Sequence, residues 1–140
     1  MDPVQIIGAV AAWAVTVPLA LGFFKAGKFK ATASRDTLIG AGFGWVTKVP
    51  FGLVRLIAWL ELVGVAGIVL APIASELLGL GWAQPWGVAA AAGLALTMVV
   101  AFIMHGARGE LKYTAKGNLA LFAMAAVVAV LLAFFGAPLF

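Results

Sequence analysis

The stretch "RLIAWLELVGVAGIVLAPI" (residues 55–73) decides the fold, because it is an apolar run long enough to cross a bilayer and contains one carboxylate, Glu61. A helix needs about 20 apolar residues to span a hydrocarbon core roughly 30 Å thick. The whole chain shares this character: 65% of its 140 residues are hydrophobic, 10% are charged, and the mean hydropathy is +1.16. A water-soluble domain of this size cannot bury so much apolar surface. The sequence therefore predicts an integral membrane protein.

Four apolar runs of spanning length follow one another along the chain. They cover residues 4–24, 53–71, 85–104 and 118–135. The N-terminal "MDPVQIIGAV" lacks the positive charge of a secretory signal, so the first run is predicted to be a retained helix. We predict an all-α fold, a four-helix transmembrane bundle that forms a single domain over residues 1–140.

The basic residues predict the orientation of this bundle. All nine flank two of the three connections: Lys25, Lys28, Lys30, Arg35, Lys48 and Arg55 around the first, and Arg108, Lys112 and Lys116 in the third. Because cytoplasmic loops accumulate Lys and Arg, these two connections are predicted to be cytoplasmic and both termini to lie outside. The net charge of +4 is then a topology signal that also attracts anionic lipid head groups, and it does not indicate nucleic-acid binding.

The first connection, residues 25–52, is too long for a simple turn in a chain of this size. Ser34 can cap a short helix that begins "RDTLIGAGF", with Asp36 favourable in its first turn. The glycines at positions 40, 42 and 44 would end this helix. We expect a short amphipathic helix lying at the cytoplasmic membrane interface.

Glu61 is predicted to lie close to the middle of the bilayer, about 12 Å along the second span. An ionised carboxylate at that depth costs at least a few kcal/mol, so Glu61 should be neutral, paired or hydrated. Gly64, Val65 and Ile68 share its helix face, which lets another helix approach, so the side chain should point into the bundle. Two roles remain open: a hydrogen bond that holds helices together, and a group that binds a proton or a ligand. The second is favoured because ionisable groups inside membranes are commonly functional.

Three lysines near the end of the first span are candidate partners for Glu61. Most of Lys25, Lys28 and Lys30 should extend to the lipid head groups, but one could bend inward to Glu61. Arg55 is another charge near the same helix end, although six residues separate it from Glu61 and place it on a different face.

His105 is the only histidine and ends the third span. Thr97, Met98 and Ala101 share its face and are small or mildly polar, so this face should also look inward. A simpler alternative is a cation that interacts with the negative end of the helix dipole. Glu61, His105 and Glu110 have no metal-ligand spacing, so no metal site is predicted.

Several kinds of chemistry are excluded by the sequence. The chain has no cysteine, which removes disulfides, thiol redox reactions, zinc–thiolate sites and iron–sulfur clusters. It also has no phosphate-binding glycine loop and no serine–histidine–acid set.

Four segments carry a family resemblance: "AGKFK" (26–30), "AGFGWV" (41–46), "RLIAWLELVGVAGIVLAP" (55–72) and "LALTMVVAFIMHGARGE" (94–110). In order and spacing they resemble the DoxX-like family, small four-helix membrane proteins of the bacterial inner membrane. The resemblance covers nearly the whole chain. It implies that the recurrent polar residues of the family fall on Lys30, Glu61 and His105. Family members are linked to membrane redox systems that oxidise quinols or thiosulfate, and distant relatives act in assembly.

These observations lead to three functional hypotheses. The first is a pocket lined by Glu61, His105 and a lysine, opening toward the cytoplasmic half, that binds an apolar molecule with a polar head. The resemblance makes a quinone the natural ligand and a membrane redox complex the natural partner. The second is a non-enzymatic accessory or assembly subunit, or a homo-oligomer, in which the polar residues only fix helix packing. The third, a proton-coupled transporter, is weaker because no inverted repeat is visible.

Overall fold

The structure, a computed structural model, describes residues 2–135. Within that range four helices are long and apolar enough to cross a membrane. They are α1 (Pro3–Thr32), α3 (Phe51–Leu77), α4 (Ala83–Ala107) and α5 (Leu111–Phe135), while the first connection contains α2 (Arg35–Gly40) and a 3-10 helix (Gly44–Lys48). The predicted all-α, four-helix transmembrane fold is thus confirmed. Residues 1 and 136–140 of the predicted domain lie outside the described residues.

The four long helices form a closed ring in the order α1, α3, α4, α5, with each helix packed against the two beside it. Chain direction alternates around this ring. The connection between α1 and α3 meets the connection between α4 and α5, because a Cβ added to Gly44 would lie only 3.0 Å from the guanidinium of Arg108. We call the end of the bundle that holds these two connections the basic end.

The first helix is longer than the apolar run that predicted it. It continues past Phe24 to Thr32. Lys25, Lys28 and Lys30 therefore belong to its last turns, whereas the sequence had suggested that they belong to the connection. The fall in hydropathy marks where the helix leaves hydrocarbon, but the backbone hydrogen bonds do not need an apolar sequence. Lysine is also a good helix former and is favourable near a helix C-terminus.

A short helix does form after Ser34, whose hydroxyl accepts a hydrogen bond from the backbone N–H of Thr37 at 3.2 Å. Arg35 then donates to the carbonyl of Val46 at 2.9 Å, which ties α2 to the 3-10 helix. The connection is therefore folded onto itself. Its position at the membrane interface stays a prediction.

The folded connection has a small apolar core of its own. Leu38, Trp45, Val46 and Val54 are buried together, and Met104 of α4 packs against them. We call this cluster the plug. Trp45 is buried because the connection folds over the bundle end. The plug therefore covers the interior of the bundle at the basic end.

Glycines set the closest approaches between helices. A Cβ added to Gly27 of α1 would lie 3.1 Å from the Leu62 side chain and 3.3 Å from the Ala58 carbonyl of α3. Between α3 and α4, a Cβ on Gly64 would meet Leu94 at 2.7 Å. Small residues let helix backbones pack closely in membranes. Gly27 thus brings the last turns of α1 against the first half of α3.

Candidate functional site

An ion pair inside the bundle joins α1 to α3. The ammonium Nζ of Lys30 donates to Oε1 of Glu61 at 2.7 Å, and the two side chains are only 9% and 2% exposed. Lys30 follows Gly27 by three residues, so it lies on the helix face that packs against α3. A pair of opposite charges is the arrangement in which a bundle interior can hold an ionised carboxylate.

The other charges near this pair have different roles. Arg55 donates from Nη1 to the backbone carbonyl of Lys30 at 2.7 Å, and its guanidinium lies 4.4 Å from the ring centre of Phe51. It therefore satisfies one of the unpaired carbonyls at the end of α1, without touching the carboxylate of Glu61. Lys25 and Lys28 are exposed, and Lys28 lies over the Phe24 ring. Of the candidate partner charges, the structure brings Lys30 to Glu61.

The pair lies in the wall of a cavity of about 390 Å³ in the half of the bundle near the basic end. All four long helices and the plug contribute to its lining. The polar lining residues are Lys30, Glu61, Thr97, His105 and Asn118, and the apolar ones include Phe23, Ile57, Leu60, Met98 and Leu121. The site is therefore an apolar chamber with a few polar groups.

Glu61 keeps one oxygen without a partner in this chamber. Oε1 is bonded to Lys30, whereas Oε2 is buried and has no hydrogen-bond partner among the described residues. An unsatisfied buried polar atom costs about 1–3 kcal/mol, and more when it is charged. Oε2 is thus an unused acceptor beside the cavity.

His105 lies in the same cavity wall but is not bonded to Glu61 or Lys30. Its Nδ1 is 3.4 Å from Oε2 of Glu110, an ion-pair distance without hydrogen-bond geometry. Oε1 of Glu110 accepts from the guanidinium of Arg108. The Arg108 hydrogen bond, and to a smaller extent His105, lower the pKa of Glu110 below its ordinary value. His105 therefore links the cavity to charged groups at the basic end.

Asn118 of α5 is a site residue that the sequence analysis treated only as the start of a span. Its side chain lines the cavity, and its Nδ2 donor is buried without a hydrogen-bond partner in the described part of the chain. A lone amide beginning an otherwise apolar run was the signal that could have found it. The chamber thus holds an unused donor as well as an unused acceptor.

The three residues predicted for the site, Glu61, His105 and Lys30, all line one cavity. Only Lys30 and Glu61 are in direct contact. Within residues 2–135, no group of three carboxylate, histidine or cysteine side chains is placed to hold a metal ion. The chemistry available at the site is hydrogen bonding, proton exchange and apolar contact.

Four apolar spans around a buried ion pair define a multi-pass integral membrane protein with a polar site in its interior. Comparison with protein families identifies the family of membrane proteins: residues 14–135 match the DoxX-like family. The match covers most of the sequence, so the chain belongs to this family, as the resemblance predicted. No curated protein and no solved structure matches the chain significantly.

Proposed function

We propose that the cavity binds an apolar small molecule with a polar head, a quinone or a closely similar compound, and that the chain is a partner subunit of a membrane redox system. The observation that carries this proposal is the unpaired Oε2 of Glu61 beside an apolar chamber of about 390 Å³. Small-molecule sites are typically apolar with a few placed polar groups, and their volumes start near 300 Å³. A quinone itself has only acceptor oxygens, so the form that satisfies Oε2 is the reduced one, a quinol, whose hydroxyl donates a hydrogen bond to Oε2.

Each polar residue has a distinct role in this proposal. Glu61 accepts a hydrogen bond or a proton from a hydroxyl of the quinol head, and Lys30 stabilises negative charge on the oxygen that loses the proton. Asn118 donates to an oxygen of the head through its free Nδ2. His105 relays protons from the cavity toward Glu110 and the surface. The chain has no cysteine to exchange electrons, so the electron acceptor or donor belongs to the partner subunit.

The proposed orientation places this proton route on the cytoplasmic side of a bacterial inner membrane, with both termini outside. It is supported by the nine basic residues, which flank the two connections at one end of the bundle. The cavity lies in the half nearest that end. Protons accepted at Glu61 would therefore pass to the cytoplasm.

The test is the binding of a benzoquinol with a decyl tail, kept reduced in anaerobic buffer, to purified protein in detergent. Binding is followed by the change in tryptophan fluorescence, and because Trp45 lines the cavity, a Trp45→Phe variant assigns the signal. Glu61→Gln replaces the free acceptor by an amide. A hydrogen bond to a charged group contributes about 1.5–3 kcal/mol, so the dissociation constant should rise by about tenfold or more.

Glu76→Gln is the matched control, because it makes the same change at an exposed position of the same helix. It should leave binding unaltered. Unchanged binding by Glu61→Gln would overturn the proposal. If Glu61→Gln instead loosens the bundle or its complex with a partner, and the wild type binds no quinol, the accessory-subunit hypothesis replaces the proposal. That hypothesis rests on the same ion pair, which also holds α1 against α3.

A further inference from the structure

We propose that the cavity is entered sideways from the lipid, through a portal between α3 and α4 formed by Leu60, Leu96 and Val100. This inference goes beyond the proposed function, since it concerns a route and holds for any occupant of the cavity. It also assigns three residues that would determine which molecules can enter.

The first observation is that these three residues have two surfaces. Leu60, Leu96 and Val100 all line the cavity, yet they are 60%, 63% and 60% exposed on the outside of the bundle. A side chain that contacts an internal space and the outer surface together lies at an opening. In a membrane the outer surface of these helices is covered by acyl chains, so this opening faces lipid.

The second observation is that the other walls are closed. On α1 the lining residues Phe23 and Lys30 are buried, and on α5 the lining residues Asn118 and Leu121 are at least partly buried. At the basic end the plug covers the cavity, with Trp45 only 7% exposed. Among the described lining residues, the largely exposed ones therefore lie on α3 and α4 only.

The third observation concerns how α3 and α4 pack along their length. They approach most closely in the half far from the basic end, where Gly64 faces Leu94 and Gly67 faces Ala90. A Cβ added to Gly67 would lie 2.6 Å from that of Ala90. Nearer the basic end the lining positions of α3 include the larger side chains Ile57 and Leu60. Widening the portal needs only rotamer changes of flexible side chains, which occur within nanoseconds when exposed.

This geometry restricts the occupant. A molecule that enters from lipid must first dissolve in the bilayer, and a tail longer than the cavity can remain among the acyl chains while the head reaches Lys30 and Glu61. The part of the inference that names the tail rests on the proposed function; the route itself does not. A charged, water-soluble molecule would have to pass the plug.

The chain has no cysteine, which permits a direct test of the route. Ala101→Cys places one thiol in the cavity wall, and its alkylation by a lipid-dissolved long-chain maleimide is timed in proteoliposomes. Leu60→Trp, and separately Leu96→Trp, narrow the portal from either helix and should slow alkylation by about tenfold or more. Val63→Trp is the matched control, because Val63 is exposed on α3 and does not line the cavity, and it should change nothing.

Two results would overturn the portal: equal alkylation rates in the portal variants and the control, or equally fast alkylation by a charged, membrane-impermeant maleimide. Circular dichroism and gel filtration of each variant show that it is folded. The tryptophan substitutions are at exposed positions, and one of the two portal variants is enough for the test. The decyl benzoquinol should also bind about tenfold or more tightly than the same ring without a tail. If the two compounds bind equally tightly, the role of the tail is refuted. If neither compound binds, the proposed function is refuted. In both cases the alkylation rates still test the route.

Discussion

Replacing Lys30 by Met removes the counter-charge of Glu61 while keeping an unbranched side chain of similar length. Two unit charges 2.7 Å apart attract each other by about 6 kcal/mol at an effective dielectric constant of about 20. Much of this attraction offsets the cost of burying both charges, and breaking one side of a buried pair costs about 3–5 kcal/mol. In the variant, Glu61 can take up a proton instead of staying charged. This limits the loss to about 4 kcal/mol, which is the free energy needed to protonate an ordinary carboxyl at pH 7. We expect Lys30→Met to lose about 3–4 kcal/mol of unfolding free energy.

The assay is reversible unfolding in mixed micelles, with infrared spectroscopy of the carboxyl band at neutral pH. In the wild type Glu61 should be ionised, because it is paired with Lys30. Lys30→Met should add a protonated carboxyl band that is absent from Lys30→Met/Glu61→Met. The double variant buries no charge, and exchanging a buried pair for apolar residues of similar size is often close to neutral. It should therefore be more stable than Lys30→Met alone.

Lys28→Met is the control, since Lys28 is on the same helix but exposed, and it should stay within about 0.5 kcal/mol of the wild type. A wild-type protein with a protonated Glu61 at neutral pH would refute the ion pair. So would a double variant that is less stable than Lys30→Met, because the loss would then come from packing and not from an unpaired charge.

Two further predictions test the surroundings of the site. Gly27→Val should cost about 1–3 kcal/mol by overpacking against Leu62, measured as a lower melting temperature in detergent. Gly93→Val is the control and should cost much less, because its added Cβ meets open space. Equal losses would contradict the close approach of α1 and α3. The hydrogen bond from Arg108 lowers the pKa of Glu110 below 4.5, so its stabilising effect is complete above that pH and is lost as the pH falls further. The melting-temperature difference between wild type and Glu110→Gln should shrink on acidification below about pH 4.5, and a constant difference would speak against this pair.

The sequence was enough to predict four spans because a bilayer leaves few alternatives. Every backbone polar group in hydrocarbon must be hydrogen-bonded, so spanning segments are helices or strands of closed barrels, and an unbroken apolar run of about 20 residues is a helix. The end of α1 was harder to predict. Lys25, Lys28 and Lys30 interrupt the apolar run without interrupting the helix, since hydropathy reports the solvent and not the backbone hydrogen bonds.

The cavity could be predicted only in part. A mid-membrane acid such as Glu61 indicates an inward-facing polar site, but choosing among three lysines requires knowing which face of α1 meets α3. The spacing along α1 does indicate this face. Phe23, Gly27 and Lys30 follow one another at helical spacing and are buried, whereas Lys25 and Lys28 do not fall on that face. Asn118 could not be assigned in this way, because its place in the wall depends on how α5 packs in the ring.

The ion pair between α1 and α3 also has a consequence for biosynthesis. Lys30 is made 31 residues before Glu61, which at about 5–20 residues per second is a delay of roughly 2–6 s. In that interval its ammonium can extend to the lipid head groups. Arrival of the carboxylate gives it a fixed partner before α5, which begins at Leu111, is complete. The first two spans can thus associate as a charged hairpin on the ribosome, and the later spans are added to a template that already exists.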